Sequence, residues 1–374
     1  MRKRNILVIP NITNSKNPES DSFFDVISEH INALGSDFFW FIPVIKFNKK
    51  LQEFNNVEQI EVEISGNMFH MRASFPIDII KLLQTSTLSP KPSNSRFWIP
   101  YDVVYTHLTD WNLRRYIPNS KRIIGYSHWW EMEICNGKSN LNNYLNFERE
   151  ILGALQMDIL YVNTQTQKKY ILSESKKVFN DLIINKLDNI IKPFYLTIPE
   201  EQIVKTLPLK RKRTILFNHR CTEYKGFDRF LKWIREFRKI REDFDVWIPL
   251  ASKSNIEFKE NWISNKYLTK KNYLLEIQKC LFTITPLESN YGWSISSTDS
   301  LMNGTPVLFE QCENYRELFP NGIFFNNKKE LFELMERLLD DNIFYMKCVY
   351  EAISRAHQLS SKNQFEELRE YLLK

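Results

Sequence analysis

Glycine is scarce in this chain, at nine of 374 residues. The loop after the first apolar stretch, Pro10-Asn-Ile-Thr-Asn-Ser-Lys-Asn-Pro-Glu-Ser-Asp21, contains none. Such a loop is poorly suited to bring bare backbone against a ligand. Cysteine is also sparse: Cys135, Cys221, Cys280, Cys312 and Cys348 are scattered, odd in number and never in a Cys-x-x-Cys pair. That pattern argues against a disulfide framework and against a zinc site, and suits free thiols in a reducing cytoplasm. No apolar run approaches the roughly 18 residues that suggest a spanning helix. The apolar start, Ile6 to Ile9, is too short for a secretory signal and reads as a first strand. There is no repeat within either half and no low-complexity tract.

What is present is 43% hydrophobic residues, enough to fold, in a length that suits two domains of roughly 150 to 200 residues each. The net charge of +6 permits an acidic partner, such as a nucleotide, DNA or an anionic surface, without choosing among them. Short apolar strands alternate with helical patterns, which predicts mostly parallel sheets covered on both faces. Strands are expected at 5–9, 38–43, 103–105, 122–126 and 159–163, with helices at 25–34 and 143–156. The Ser-, Thr- and Pro-rich stretch 85–95 reads as a loop. Near 191–199 the chain reads as extended polypeptide leaving the first domain, and Leu209-Lys-Arg-Lys-Arg213 as a solvated basic linker. The alternation then resumes, with strands at 214–217, 245–249, 281–286, 306–309 and 322–325. Helices are expected from the 218–226 turn to about 241 and at 272–279, 298–302, 330–339 and 365–373.

One segment carries chemistry by itself. Asn218-His-Arg-Cys-Thr-Glu-Tyr-Lys-Gly226 follows the strand at 214–217 and opens an amphipathic helix, so Arg220 and Lys225 stand at a strand-to-helix turn with Gly226 beside the lysine. A helix start offers free N–H groups and a partial positive charge. Two full cations added there suit a phosphate or diphosphate. Glu288, at a strand end, and Asp299, at a helix start, can accept hydrogen bonds from hydroxyls. Backbone N–H groups from Asn290 through Gly292 and Trp293 to Ser294 would extend the phosphate cradle. His219, bordering the turn, could touch the phosphate or only cap the turn, and plainer roles stand beside the others: solvated charges for Arg220 and Lys225, helix caps for Glu288 and Asp299. The triplet Asp243-Phe-Asp245 leads into a strand at its amino end and reads as a solvated turn, not a metal site.

These landmarks resemble the nucleotide-sugar glycosyltransferases of the GT-B fold, on the retaining branch that includes glycogen-synthase-like enzymes. Arg220 to Lys225-Gly226 has the spacing of that family's diphosphate clamp. Pro286-Leu-Glu288 follows a buried strand as the family's Pro-Ser…Glu segment does, and Asp299-Ser-Leu-Met-Asn-Gly304-Thr-Pro-Val307 keeps its acid, glycine and Pro-Val intervals. The resemblance covers 214–340 well and the first half loosely, through Asp102 to His107, Gly125 to His128 and Asp158 to Thr164. It departs in three respects: Glu288 and Asp299 are eleven apart rather than eight, the second acid is Asp, and the first loop lacks a glycine pair.

The resemblance implies an α/β chain of two Rossmann-like doubly wound domains facing a cleft. Residues 1–200 would bind the acceptor, 201–355 the nucleotide sugar, and 356–374 would carry a helix back to the first domain. It implies Arg220, Lys225, Glu288 and His128 as catalytic groups. Arg220, Lys225, Gly226, Glu288, Asn290, Gly292, Trp293, Ser294 and Asp299 would surround the donor. Transfer would proceed with retention from a nucleotide-diphosphate sugar, UDP-sugar favoured, with no tightly bound cofactor and no metal, because fixed cations do the metal's work.

The acceptor is less legible. Asn14, Lys16, Asp21, His107, Trp111, Trp129 and Trp130 are the candidates to touch it, although His107 and His128 can equally pack as core residues. The basic balance, Arg114-Arg115 near Trp111, and Trp129-Trp130 as stacking surfaces lean toward a hydroxymethylated DNA base such as 5-hydroxymethylcytosine. Phage DNA glycosyltransferases have such acceptors, and a phage-encoded protein would work in the host cytoplasm. A cell-envelope polysaccharide or glycolipid is the alternative. A non-catalytic nucleotide-sugar or nucleic-acid binding module is a reading of another class, which Arg220, Lys225 and Glu288 together argue against. An inverting enzyme would need a carboxylate base, for which Asp21 or Asp110 could serve.

Overall fold

The computed structural model describes residues 3–12, 23–61, 101–110, 113–116, 120–127, 141–207, 211–286 and 294–373. The chain divides into two compact units, Met1–Phe194 with Gln364–Lys374, and Tyr195–Asn363. The expected loop at 85–95 lies outside the described residues.

The first unit holds seven parallel strands: β1 (Arg4–Ile9), β2 (Phe38–Val44), β3 (Val57–Glu61), β4 (Val103–Thr106), β5 (Arg122–Ser127), β6 (Ile159–Val162) and β7 (Ile191–Pro193). Their order is β3-β2-β1-β4-β5-β6-β7. The described helices include α1 (Phe23–Leu34), α2 (Leu141–Ala154), α3 (Gln165–Ser175) and α4 (Asp181–Ile190). Ile6 to Ile9 and Val103 to Thr106 are buried throughout, as strands covered on both faces must be. The segment at 191–199, expected to leave the domain, first adds β7, which pairs with β6 from Leu160↔Ile191 to Val162↔Pro193. Its proline lies in the last strand of the sheet order, where a missing N–H is tolerated.

The second unit holds β8 (Thr214–Leu216), β9 (Asp245–Trp247), β10 (Ile263–Ser264), β11 (Phe282–Thr285), β12 (Val307–Glu310) and β13 (Ile323–Phe325), in the order β10-β9-β8-β11-β12-β13 and again parallel. Its helices include α5 (Phe227–Arg238), α6 (Lys270–Ile277), α7 (Ile295–Met302), α8 (Glu313–Leu318), α9 (Lys328–Asp340) and α10 (Asn342–Gln358). Phe227, Phe230, Ile234 and Phe237 are buried on α5 at helical spacing. They join Phe217 and Ile284 in the core under the sheet. Both sheets reverse their strand order beside the first strand, between β1 and β4 and between β8 and β11. A doubly wound sheet binds its ligands at the carboxyl ends of such strands.

The final helix, α11 (Ser361–Leu373), belongs mostly to the first unit, as expected. Phe365 stands edge-on to His30 at 4.9 Å and to Phe194 at 5.4 Å, and Arg122 donates to the carbonyl of Tyr371 at 2.6 Å. Within the basic run, Lys212 is exposed and Leu209 and Lys210 lie outside the described residues, but Arg211 is not a solvated side chain. Arg211 donates to the carbonyls of Cys280 at 3.1 Å and Gly304 at 2.8 Å, and to Thr305 Oγ1 at 3.0 Å. Its planar fork satisfies carbonyls just beyond α6 and α7 that those helices leave free. No helix among the described residues is long and apolar enough to cross a membrane.

Candidate functional site

The strand-to-helix turn at 218–226 lies at the carboxyl end of β8, beside the strand-order reversal. After Leu216 the chain stays buried through Phe217, Asn218 and His219, then surfaces at Arg220. A 3-10 turn, Glu223–Lys225, leads to Gly226, which enters α5 with φ +69°. That left-handed value suits glycine. Space demands it as well: a Cβ at Gly226 would fall 1.8 Å from the carbonyl oxygen of Pro286, just past β11. The turn is thus packed directly against the end of the neighbouring strand.

Arg220 is exposed and Lys225 half-buried. Neither has an ion pair or a side-chain hydrogen bond among the described residues; Lys225 Nζ lies 5.0 Å from the ring centre of Tyr224. Burial, and then the adjacent Arg220 charge, lowers the Lys225 ammonium to about 8. Two neighbouring cations without a carboxylate between them repel each other and so favour an anion between them.

Under the turn, His219 is almost fully buried. Burial, then the Lys225 charge, pushes its imidazole down to about 3, so it is neutral in the folded protein at ordinary pH. Its Nε2 lies 3.0 Å from Thr285 Oγ1 at the end of β11. Thr285 Oγ1 lies 3.3 Å from Ser297 Oγ, and Ser297 Oγ lies 2.8 Å from Ser294 Oγ. Ser294 caps α7, accepting from the Ser297 N–H at 3.1 Å. A second strap runs alongside: Asn218 Nδ2 donates to the Ser296 carbonyl at 2.7 Å and to Ser300 Oγ at 3.2 Å, and Ser300 Oγ lies 2.9 Å from Thr283 Oγ1. Each such bond contributes about 1 kcal/mol net, but stranding a buried partner costs about 1–3 kcal/mol.

Asp299 is not at the start of its helix. The cap is Ser294, and Asp299 is the fifth residue of α7. It is buried, and Lys270 Nζ at the start of α6 donates to both of its carboxylate oxygens at 3.1 Å. Tyr273 is raised well above the usual phenol value by burial and then by the Asp299 charge. The sequence offered no signal for this pairing, because Lys270 comes 29 residues earlier.

His219 neither lies on the surface nor caps the turn; it is tucked beneath it. The serines at 294, 296, 297 and 300 were the available signal, because so many poor helix formers in one short helix need a reason. His107 is also a core residue: its ring lies 5.0 Å from Phe23 and 4.9 Å from Tyr105, and it is 3% exposed. Arg114 donates to both carboxylate oxygens of Asp158 at 2.7 Å and to the carbonyl of Gln156 at 3.1 Å, so it is engaged within its own unit. Asp110 pairs with Arg149 at 3.3 Å. Asp243, on the expected solvated turn, is held by Arg213 and Arg241. No group of three or more potential metal ligands is found among the described residues. Asn14, Lys16, Asp21, Trp111, His128, Trp129, Trp130, Glu288, Asn290, Gly292 and Trp293 lie outside the described residues.

No protein-family model and no curated protein matches the sequence. Solved structures do match the fold over the whole chain. Sucrose-phosphate synthase from Thermosynechococcus elongatus is 12% identical with a TM-score of 0.71, covering 100% of this chain and 99% of that one. HepE of Anabaena, in complex with UDP and glucose, is 11% identical with a TM-score of 0.67, covering 100% of both chains. The trehalose-6-phosphate synthase OtsA is 11% identical with a TM-score of 0.64, covering 100% of this chain and 99% of that one. The chain has the fold of these proteins, GT-B, built from two parallel-sheet α/β units.

Proposed function

We propose that this chain transfers a sugar from a nucleoside-diphosphate sugar, UDP-sugar favoured, to a hydroxyl acceptor, with retention and without a metal. The observation that carries this reading is the pair Arg220 and Lys225, which lack a carboxylate partner among the described residues and stand at the carboxyl end of β8. As the sugar leaves, negative charge grows on the diphosphate. Fixed cations there bind the transition state more tightly than the ground state, which is what lowers the barrier. Arg220 supplies a forked contact and Lys225 a point charge. Asp299 takes the ribose hydroxyls; its carboxylate oxygens can accept these bonds while still holding Lys270. Glu288 and His128 serve the transferred sugar. That HepE was captured with UDP and glucose on this same fold supports a UDP-sugar as donor.

Residues 1–194 take the acceptor in this reading. A hydroxymethylated DNA base is the acceptor to test first, on the basic balance of the chain, although the engagement of Arg114 with Asp158 removes one of its supports. The protein is incubated with a panel of nucleotide sugars and 5-hydroxymethylcytosine DNA, and the nucleosides are read by mass spectrometry. A hexose or pentose mass increment is expected with one donor; no increment with any donor sinks the DNA acceptor. NMR of the product's anomeric proton tests retention, and an inverted anomer would contradict it.

Lys225 makes this reading pH-sensitive. With its ammonium at about 8 in the free protein, half the clamp's lysine charge is absent near that pH. A bound diphosphate raises the value again, because an opposite charge favours the charged form. Donor binding at pH 8 to 9 is therefore expected to take up a proton, and at pH 6.5 to 7 to take up little through this group. Calorimetry in two buffers of different ionisation enthalpy reads this directly. Lys225→Arg, which stays charged, should abolish the uptake at pH 8 to 9. Equal uptake by both proteins would show that another group titrates.

A further inference from the structure

We infer that His219, Thr285, Ser297 and Ser294 form a buried relay that positions the Arg220–Lys225 turn against the N-terminus of α7, so that both act on one diphosphate. This rests on the donor reading above and goes beyond it, because none of the four side chains is asked to carry the transferred charge. The relay crosses the strand-order reversal. His219 is the residue before Arg220, Thr285 is the last residue of β11, and Ser297 and Ser294 are the first turn and cap of α7. The successive separations are 3.0, 3.3 and 2.8 Å. Beside the relay, the three elements are joined through the sheet, by the Asn218 bonds to Ser296 and Ser300, and by the close approach of Gly226 to the Pro286 carbonyl.

Chemistry explains why a histidine and hydroxyls do this work. A hydroxyl both donates and accepts, so a chain of them can be satisfied in either direction, and a neutral imidazole offers one donor and one acceptor. Burial keeps His219 neutral, which prevents a third positive charge from appearing directly beneath Arg220 and Lys225. Both ends of the relay meet a group suited to phosphate: two cations at one end, the free N–H groups and positive end of a helix at the other. A shift of either end would misplace one set of contacts relative to the other, and positioning errors of that kind weaken binding of the shared group while leaving distant contacts intact. His219, Thr285, Ser297 and Ser294 are thus positioning residues.

The test is calorimetric titration of the full chain with UDP, GDP and ADP and with the corresponding nucleosides. Wild type is compared with Thr285→Val, Thr285→Ser and Ser297→Ala. Thr285→Val keeps shape and removes the hydroxyl. Thr285→Ser keeps the hydroxyl. Ser297→Ala breaks the middle of the relay and is favoured by helix propensity, so it is expected to fold even if Thr285→Val does not. About tenfold weaker binding of the diphosphate is expected for Thr285→Val and Ser297→Ala, with nucleoside affinity unchanged and Thr285→Ser within twofold of wild type. Loss of nucleoside and diphosphate affinity in equal proportion would overturn the inference in favour of a purely structural role. So would wild-type diphosphate affinity in Ser297→Ala. If wild type itself binds none of the three diphosphates, the donor reading fails and takes the inference with it; the preceding outcomes overturn the inference alone.

Discussion

Arg220→Ala and Lys225→Ala are each expected to lower turnover by about a hundredfold or more, the scale of losing one preorganised charge contact to a developing anion. The reduction should fall on kcat and more steeply on kcat/KM, because the contact already holds the diphosphate in the ground state and strengthens as it departs. Stability should be hardly affected. Neither side chain has an ion-pair or hydrogen-bond partner among the described residues, so neither truncation strands a buried group. Lys225→Ala also removes the charge that burial and Arg220 disfavour, so its melting temperature should equal or exceed that of wild type. The sign follows from linkage: a lysine whose folded value is depressed binds fewer protons folded than unfolded between about 8 and its ordinary value, so it costs stability below that window and the cost fades as pH rises through it. Lys225→Arg keeps a charge but not the compact ammonium, and should recover only part of the rate. Near-normal transfer by both alanine variants would remove the clamp from the account.

Gly226→Ala is expected to act through the fold first and the chemistry second. A residue with a side chain in the left-handed region costs roughly 1–2 kcal/mol. Here the added carbon would also meet the Pro286 oxygen at 1.8 Å, and that oxygen is backbone, which no rotamer change can move. Overpacking of this kind costs about 1–3 kcal/mol more. The total, roughly 2–5 kcal/mol, is a large part of the 5–15 kcal/mol by which a domain is stable. A fall of about 10 °C in the melting transition is expected, with loss of donor binding because the turn must move off β11. Gly35→Ala is the informative comparison. Gly35 also has a positive φ, +73°, but an added Cβ would meet nothing within 4 Å. It should cost only the backbone term. Equal effects of the two substitutions would show that the Pro286 contact does not matter.

The parallel sheets were readable in the sequence because each central strand is a short apolar run bounded by turn residues. What was missed has physical causes. β3, Val-Glu-Gln-Ile-Glu, sits at the end of its sheet and is half exposed, so it lacks an apolar run. β7 contains a proline and looks like linker until it pairs with β6. The helix α3 has little amphipathic pattern, and its start is marked only by the Thr164 cap. At the site, the Arg220 to Gly226 turn could be read locally because its meaning lies in adjacent residues. The partner of Asp299 could not, because Lys270 arrives from another helix. Nor could the fate of His219: whether a histidine beside a surface turn points out or in depends on Thr285, 66 residues away. Arg211 shows the same limit, since a basic run gives no hint of which member will find the carbonyls of Cys280 and Gly304.

The central claim is that the β8 turn holds the diphosphate of a nucleotide sugar, and one titration tests it most directly. Wild type and Arg220→Ala are titrated calorimetrically with UDP, GDP, ADP and their glucose conjugates at pH 7. The account predicts that wild type binds one nucleoside series with a dissociation constant of about 1–100 μM, a range in which substrate affinities commonly fall, and that Arg220→Ala binds it at least tenfold more weakly. Absence of binding by wild type to every nucleoside diphosphate and every conjugate, or equal binding by the two proteins, would contradict it.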